Sequence, residues 1–147
     1  MAENTPTINQ RYACFRLIVK PSAIHRWGVF AGERIPANRK VIEYTGEKIS
    51  RKETKIRAER PLNYIFTLNK YWALDGSVCG SGAEFINHCC EPNIRTWVYK
   101  EQILYMSVRD ILPGEELTVD YHFDKDVEKV PCSCGAVACR GTINVNV

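Results

Sequence analysis

The stretch Asn87-His88-Cys89-Cys90 sets an amide, an imidazole and two thiols side by side, and Glu91-Pro92-Asn93 closes it. Such groups hold polar ligands, carry protons or bind metals. Pro92 disfavours a helical Glu91 and turns the chain out. A second cluster lies far along the chain, where Cys132, Cys134 and Cys139 follow a C-x-C-x4-C spacing, with Gly135 and Gly141 allowing tight turns. Thiolates this crowded repel one another unless a cation neutralises them, and Zn²⁺ takes four ligands tetrahedrally in a closed structural site. The tail supplies three, so a fourth must come from elsewhere; Cys14, Cys79, Cys89, Cys90, His88 and His122 are the candidates.

The elements that must position these groups are mostly strands. Tyr12 to Val19 alternates Phe15, Leu17 and Val19, and Val41 to Thr45 reads as a second strand ended at Gly46. Between them, residues 22–32 read as a loop around Trp27-Gly28. Ser50-Arg51-Lys52-Glu53 has the S-x-x-E pattern of a capping box, so a charged, solvated helix follows and stops before Pro61. Tyr64–Leu68 and Trp72–Leu74 suggest a hairpin. Asn93–Tyr99 and Ile103–Val108 suggest two strands joined at Lys100-Glu101-Gln102, and Glu116–Tyr121 a final strand after the Pro113-Gly114 turn. Ala83–Ile86 suits one short buried turn of helix. Many short strands and few helices predict a mainly β domain.

The 147 residues fit a single domain over 1–147 with a real core. A net charge of +3 is too mild to predict nucleic-acid binding. No apolar run is long enough to span a bilayer, and residues 1–10 lack the apolar segment of a signal peptide. Seven cysteines without an export signal predict a reducing, intracellular compartment with some thiols serving a metal.

Five segments, in order, resemble the SET-domain protein lysine methyltransferases that carry a zinc-binding post-SET tail. They are Trp27-Gly28-Val29-Phe30-Ala31, Tyr44-Thr45-Gly46-Glu47, Phe85 to Asn93, Gly114 to Tyr121, and Cys132-Ser133-Cys134-Gly135 with Cys139-Arg140-Gly141. The resemblance spans about residues 14–143. It implies small curved β-sheets, with the Asn87–Asn93 stretch and the strand ending at Tyr121 in a knot-like crossing. The core would run over about 14–123 and the tail over about 131–143. It implies S-adenosylmethionine on one side and a substrate lysine entering from the other. Tyr121 takes the catalytic position; Tyr44, Val119 and Phe123 line the lysine channel; Trp27, Gly28, Tyr64, Asn87 and His88 meet the cofactor. Cys90 becomes the fourth ligand of a structural zinc beside Cys132, Cys134 and Cys139, and Cys89, where the family usually has serine, does not. The partner implied is a lysine-bearing protein, a histone tail or another basic protein, with no nucleic acid, no membrane and a monomeric state expected. Such a domain would be cytoplasmic in a bacterium and nuclear in a eukaryote.

Elementary chemistry agrees with that site. Methyl transfer to an amine is an in-line displacement that needs a neutral nucleophile, a straight approach and little water. A free lysine, with a pKa of about 10.4, is almost wholly protonated at neutral pH. An apolar channel and a neighbouring cation both disfavour that charge. Aromatic walls suit the lysine stem, and Tyr44, Tyr64, Tyr121 and Phe123 are available, although core packing is the usual fate of such rings. Three departures from the family pattern stand out: Arg26 where glycine is frequent, Glu84 where arginine is frequent, and Val119 where Phe or Tyr often helps set how many methyl groups are added. Arg26 and Glu84 bear on cofactor affinity and sustain the alternative of a catalytically silent, zinc-stapled binding module.

Overall fold

The computed structural model describes residues 5–60, 62–121 and 129–144. The strands are β1 (Leu17–Pro21), β2 (Trp27–Ala31), β3 (Lys40–Tyr44), β4 (Glu47–Ser50), β5 (Ile65–Thr67), β6 (Trp72–Asp75), β7 (Asn87–His88), β8 (Ile94–Tyr99), β9 (Gln102–Ser107) and β10 (Thr118–Val119). One helix, α1 (Arg51–Arg57), follows β4. They form three small sheets: β1-β2, a five-stranded β3-β9-β8-β10-β7, and β4-β6-β5. The mainly β reading stands.

Local rules explain several elements. Ser50 Oγ accepts the Glu53 N–H at 3.1 Å, the cap expected from the S-x-x-E pattern, and no residue of α1 is buried. The β8–β9 hairpin turns through Lys100 (φ +47°) and Glu101 (φ +63°), the two left-handed residues of a two-residue turn matched to strand twist. The hairpin expected of Tyr64–Leu68 and Trp72–Leu74 forms, with Ile65–Thr67 antiparallel to Ala73–Asp75.

Three expectations need correction. The first strand does not run from Tyr12: residues 10–12 form a 3₁₀ turn and β1 starts at Leu17. The 22–32 loop is half strand, since Trp27–Ala31 pairs antiparallel with β1, and its apolar run Val29-Phe30-Ala31 was the available signal. The last strand is two residues long, because Glu116 and Leu117 are engaged by β2 instead, with the Leu117 N–H donating to the Val29 carbonyl at 2.7 Å.

The five-stranded sheet contains the crossing. β10 lies between β7 and β8 and is parallel to both, with Thr118 opposite Asn87, and Val119 opposite His88 on one side and Ile94 on the other. The 87–94 segment therefore wraps both edges of a strand that arrives later in sequence. Ile86, Ile94, Ile103, Ile111, Leu117 and Val29 pack around this point, each 1 % exposed or less.

Candidate active site and metal centre

Buried amides fasten the crossing. Asn93 donates from Nδ2 to the Glu116 carbonyl (2.9 Å) and accepts the Thr118 N–H on Oδ1 (2.8 Å). Asn87 Nδ2 faces acceptors only: the Trp27 carbonyl at 2.9 Å, Glu116 Oε2 at 3.0 Å, and Ser22 Oγ and the His25 carbonyl at 3.2 Å. The Asn87 side-chain amide thus holds the 22–27 loop. Glu116 was unread in the sequence, yet its carboxylate accepts from both Ser22 and Asn87. It also explains Gly28, where a Cβ would come within 2.5 Å of Glu116 Oε2. Arg26, the departure from glycine, adopts φ +39°, a left-handed backbone that favours glycine.

His88 joins two features. Its Nδ1 accepts the Tyr121 N–H at 3.1 Å, which assigns the ring proton to Nε2, and Nε2 lies 3.5 Å from Cys90 Sγ. The Tyr121 hydroxyl donates to the Ile86 carbonyl at 2.7 Å. Burial, then Tyr64 and Glu116, raise the Tyr121 phenol above its ordinary pKa, so it stays protonated at neutral pH.

A cleft of about 1090 Å³ opens beside these groups. Its lining includes Arg26, Trp27, Tyr64, Asn87 and His88 together with Tyr44, Phe66, Thr96, Tyr105, Val119 and Tyr121. Tyr44 packs at 5.3 Å from Phe66 and 6.0 Å from Tyr105 between ring centroids, and its hydroxyl donates to the Tyr64 carbonyl. Single-ligand pockets run to about 1,000 Å³, so there is room for a cofactor and a side chain to meet. Glu84 and Asp120 bring carboxylates to the wall, a setting that suits a cationic ligand. Glu84 is turned largely onto its own loop, accepting the Gly82 N–H at 2.7 Å, and burial raises its pKa. Gly28 is not on the cleft wall, and Phe123 lies outside the described residues. Tyr105 is the aromatic that sequence reasoning passed over; it alternates with Ile103 and Ser107 on the buried face of β9.

The tail closes one end, where Val130, Pro131, Cys132 and Ser133 reach the cleft. Cys90, Cys132, Cys134 and Cys139 place their sulfurs within 4.8 Å of one another. Cys90 Sγ is 3.8 Å from that of Cys132 and 3.9 Å from that of Cys139. Four thiolates about 2.3 Å from a zinc ion span tetrahedron edges of about 3.8 Å, so the donor set fits that metal and leaves no open position. All seven cysteines are free, and Cys89 stays outside the tetrad. The Arg140 and Gly141 N–H groups each point at a sulfur, Cys90 and Cys139 respectively, at 3.4 Å. Burial pushes the Cys132 thiol up to about 12 without a metal. Arg140 clamps Asp120 with two hydrogen bonds, 2.8 and 3.1 Å, tying the tail to the crossing.

A strand laid through the loop between two others, with a tyrosine at its end, an aromatic cleft and a thiol tetrad, defines the architecture. The family model for the SET domain matches residues 26–122, and the chain belongs to that family. It is 39% identical over 136 residues to a protein of Saccharomyces cerevisiae named "Histone-lysine N-methyltransferase, H3 lysine-4 specific" and equally to one of that name in Eremothecium gossypii. Each match takes in 84% of this chain but only 13% and 14% of the relatives' own lengths. Among solved structures, KRYPTONITE in complex with mCHG DNA and SAH matches with a TM-score of 0.77 and 30% identity, over 92% of this chain and 30% of that one. A second, KRYPTONITE with mCHH DNA, H3(1-15) peptide and SAH, matches with a TM-score of 0.75 and 31% identity. No helix among the described residues is long and apolar enough to cross a membrane.

Proposed function

We propose that this chain is an S-adenosylmethionine-dependent protein-lysine N-methyltransferase domain whose substrate is the lysine of a basic protein tail, a histone H3 tail foremost. The observation that carries it is Tyr121. Its hydroxyl donates to the Ile86 carbonyl on the wall of an aromatic cleft, which fixes a phenol oxygen, an acceptor by type, where a substrate amine would enter. The names of the relatives and the H3 peptide held by a structural neighbour support the substrate class, and nuclear residence follows from it.

When bound, S-adenosylmethionine supplies a sulfonium methyl group. Trp27, Tyr64, Asn87 and His88 are the residues assigned to hold it, Gly28 to shape its loop, and Tyr44, Val119 and Phe123 to guide the lysine. Desolvation between Tyr44, Phe66 and Tyr105 favours the neutral amine over the ammonium. Tyr121 orients that amine by accepting an N–H. Zinc on Cys90, Cys132, Cys134 and Cys139 is structural in this reading: it fixes the tail wall and keeps water from the cleft.

The test is titration calorimetry with S-adenosylmethionine, followed by mass spectrometry of an H3(1–15) peptide incubated with the protein and labelled cofactor. Saturable binding and a peptide heavier by the mass of the labelled methyl group are expected. Cofactor binding with no transfer to any basic protein in a lysate would leave a silent binding domain.

A further inference from the structure

Successive residues of β8 point to opposite faces of its sheet. Thr96 lines the cleft, whereas Trp97 and Tyr99 line a separate open groove of about 340 Å³ on the other face. On β9, Leu104 stands opposite Trp97 and Met106 opposite Arg95; on β3, Lys40 stands opposite Met106. Lys40, Leu104 and Met106 complete the groove. Trp97 and Tyr99 are 48% and 52% exposed, although rings of this size are buried for the most part. The face is also cationic. The Arg95 guanidinium lies 5.5 Å from the Trp97 ring centroid and the Lys100 ammonium 5.4 Å from that of Tyr99. Lys40, Arg95 and Lys100 have no carboxylate partner among the described residues. The carboxylates of this face are Glu43, opposite Leu104, and Glu101 in the β8–β9 turn, which Lys48 already holds at 3.1 Å.

We propose that this groove, on the back of the cleft wall, docks an acidic protein segment carrying a bulky apolar anchor. The anchor would displace water from Leu104, Met106 and the edges of the two rings, and its flanking carboxylates would meet Lys40, Arg95 and Lys100. An apolar centre rimmed by charge, built from Trp, Tyr, Met and Arg, has the composition of a protein-binding hot spot. Arg95 is already stacked on Trp97, so less of its freedom is lost on binding. Charge separates this segment from other occupants. The basic tail assigned to the cleft would be repelled by the same three cations. A second copy docked face to face about a two-fold axis would set those cations against their equivalents. Single-stranded nucleic acid needs bare ring faces for its bases, and here each ring carries a cation of its own. The groove is independent of the methyltransferase reading, since no residue of its lining also lines the cleft.

The experiment pans a display library of short random peptides on the full chain and measures enriched peptides by fluorescence anisotropy. Enriched sequences should carry Asp or Glu around a Leu, Phe or Trp, and their binding should weaken from low to high salt. Trp97→Ala should weaken it about 30-fold or more, the loss of a hot-spot side chain. Lys40→Glu, at an exposed site, should weaken it about tenfold, through a lost attraction and a new repulsion. Tyr71→Ala removes another exposed ring with a lysine over it, outside the groove, and should change nothing. Both groove variants should keep the parental Tm. Should Trp97→Ala unfold, Lys40→Glu alone decides. The proposal is overturned if no acidic peptide is enriched, or if such peptides bind a folded Trp97→Ala or Lys40→Glu as they bind the parent. Binding of oligothymidylate that Trp97→Ala abolishes, with no acidic peptide enriched, would give the face to nucleic acid. A parent dimer in sedimentation velocity that Trp97→Ala dissociates would give it to a second copy.

Discussion

The crossing and the tail solve the same problem, holding a cleft wall in place, by different means. Around the crossing, Asn87, Asn93 and Thr118 are buried, and their amide and backbone groups interlock with Glu116 at 2.8–3.0 Å over an isoleucine-rich core. No apolar residue of 129–144 is fully buried, and Val137 is wholly exposed. The tail has a few backbone bonds of its own, such as Cys132 N–H to the Gly141 carbonyl at 3.0 Å, and is tied to the rest by Cys90 and by Arg140 on Asp120. One wall is held by its own hydrogen bonds and burial. The other is poor in apolar contact and brings three thiols to Cys90, the donor set that the proposed zinc would cross-link.

The largest effect should come from removing that cross-link. Purified protein should carry one zinc per chain. Cys139→Ser, or a strong chelator, should release the metal, expose the tail to proteolysis and lower methyl transfer about 10²-fold or more, since Pro131, Cys132 and Ser133 leave the cleft. The main thermal transition should persist. A metal-free protein with a protected tail and full activity would erase the contrast. Cys14 and Cys79, both exposed and outside the tetrad, serve as controls whose replacement should leave zinc content unchanged.

Tyr121→Phe asks whether the crossing contributes chemistry as well as rigidity. The ring is kept, as is the Tyr121 N–H on His88. Only the hydroxyl on the Ile86 carbonyl goes. If its oxygen aligns the amine in the transition state, kcat should fall about 10²-fold with little change in KM. Zinc content should stay constant. A variant turning over at the parental rate would remove Tyr121 from the chemistry and direct attention to Tyr44.

Much of this division was legible in residue order. The C-x-C-x4-C spacing marked three of the four thiols that converge, and the motif order singled out Cys90 from six candidates, which a one-dimensional reading of ligand types could not do. The capping box gave α1 because its signal is local. What escaped depended on pairing at a distance. β2 reads as a loop until β1 is beside it, and the final strand shortens because β2 takes Glu116. Glu116 itself is an unremarked acid in a turn-rich stretch until Ser22 and Asn87, 94 and 29 residues away, converge on it. Tyr105 looks like core until the cleft it lines becomes visible.

Asn87→Ala probes the self-sufficient wall directly. It removes the amide donor shared by the Trp27 carbonyl, Glu116 and Ser22, and leaves a part-buried carboxylate short of a donor. A loss of about 2 kcal/mol is expected, read as a lower denaturant midpoint at constant m. The same loss should appear with and without chelator. A destabilisation that vanishes once zinc is removed would mean the two walls are one cooperative unit.

The smallest expected effect is a pH dependence in the β4-β6-β5 sheet. Asp75 is buried and bonds Ser77 and Arg57, the latter at 2.9 Å. Burial alone would raise its pKa, but the Ser77 and Arg57 hydrogen bonds outweigh that and hold it below the ordinary carboxylate value. A depressed folded pKa means the unfolded chain binds the proton more readily. The resulting stability is fully present above the unfolded value, about 3.9, and is lost as pH falls through the lower folded value. Tm of the parent should therefore drop on acidification below about pH 4, and this part of the acid limb should flatten in Asp75→Asn. Because the sheet lies apart from the thiol tetrad, the difference between the two curves should be the same for metal-loaded and chelated protein. Parallel acid limbs would show that Asp75 is not the group responsible, and a difference confined to the zinc form would show that the tail's cross-link reaches further into the core than its contacts indicate.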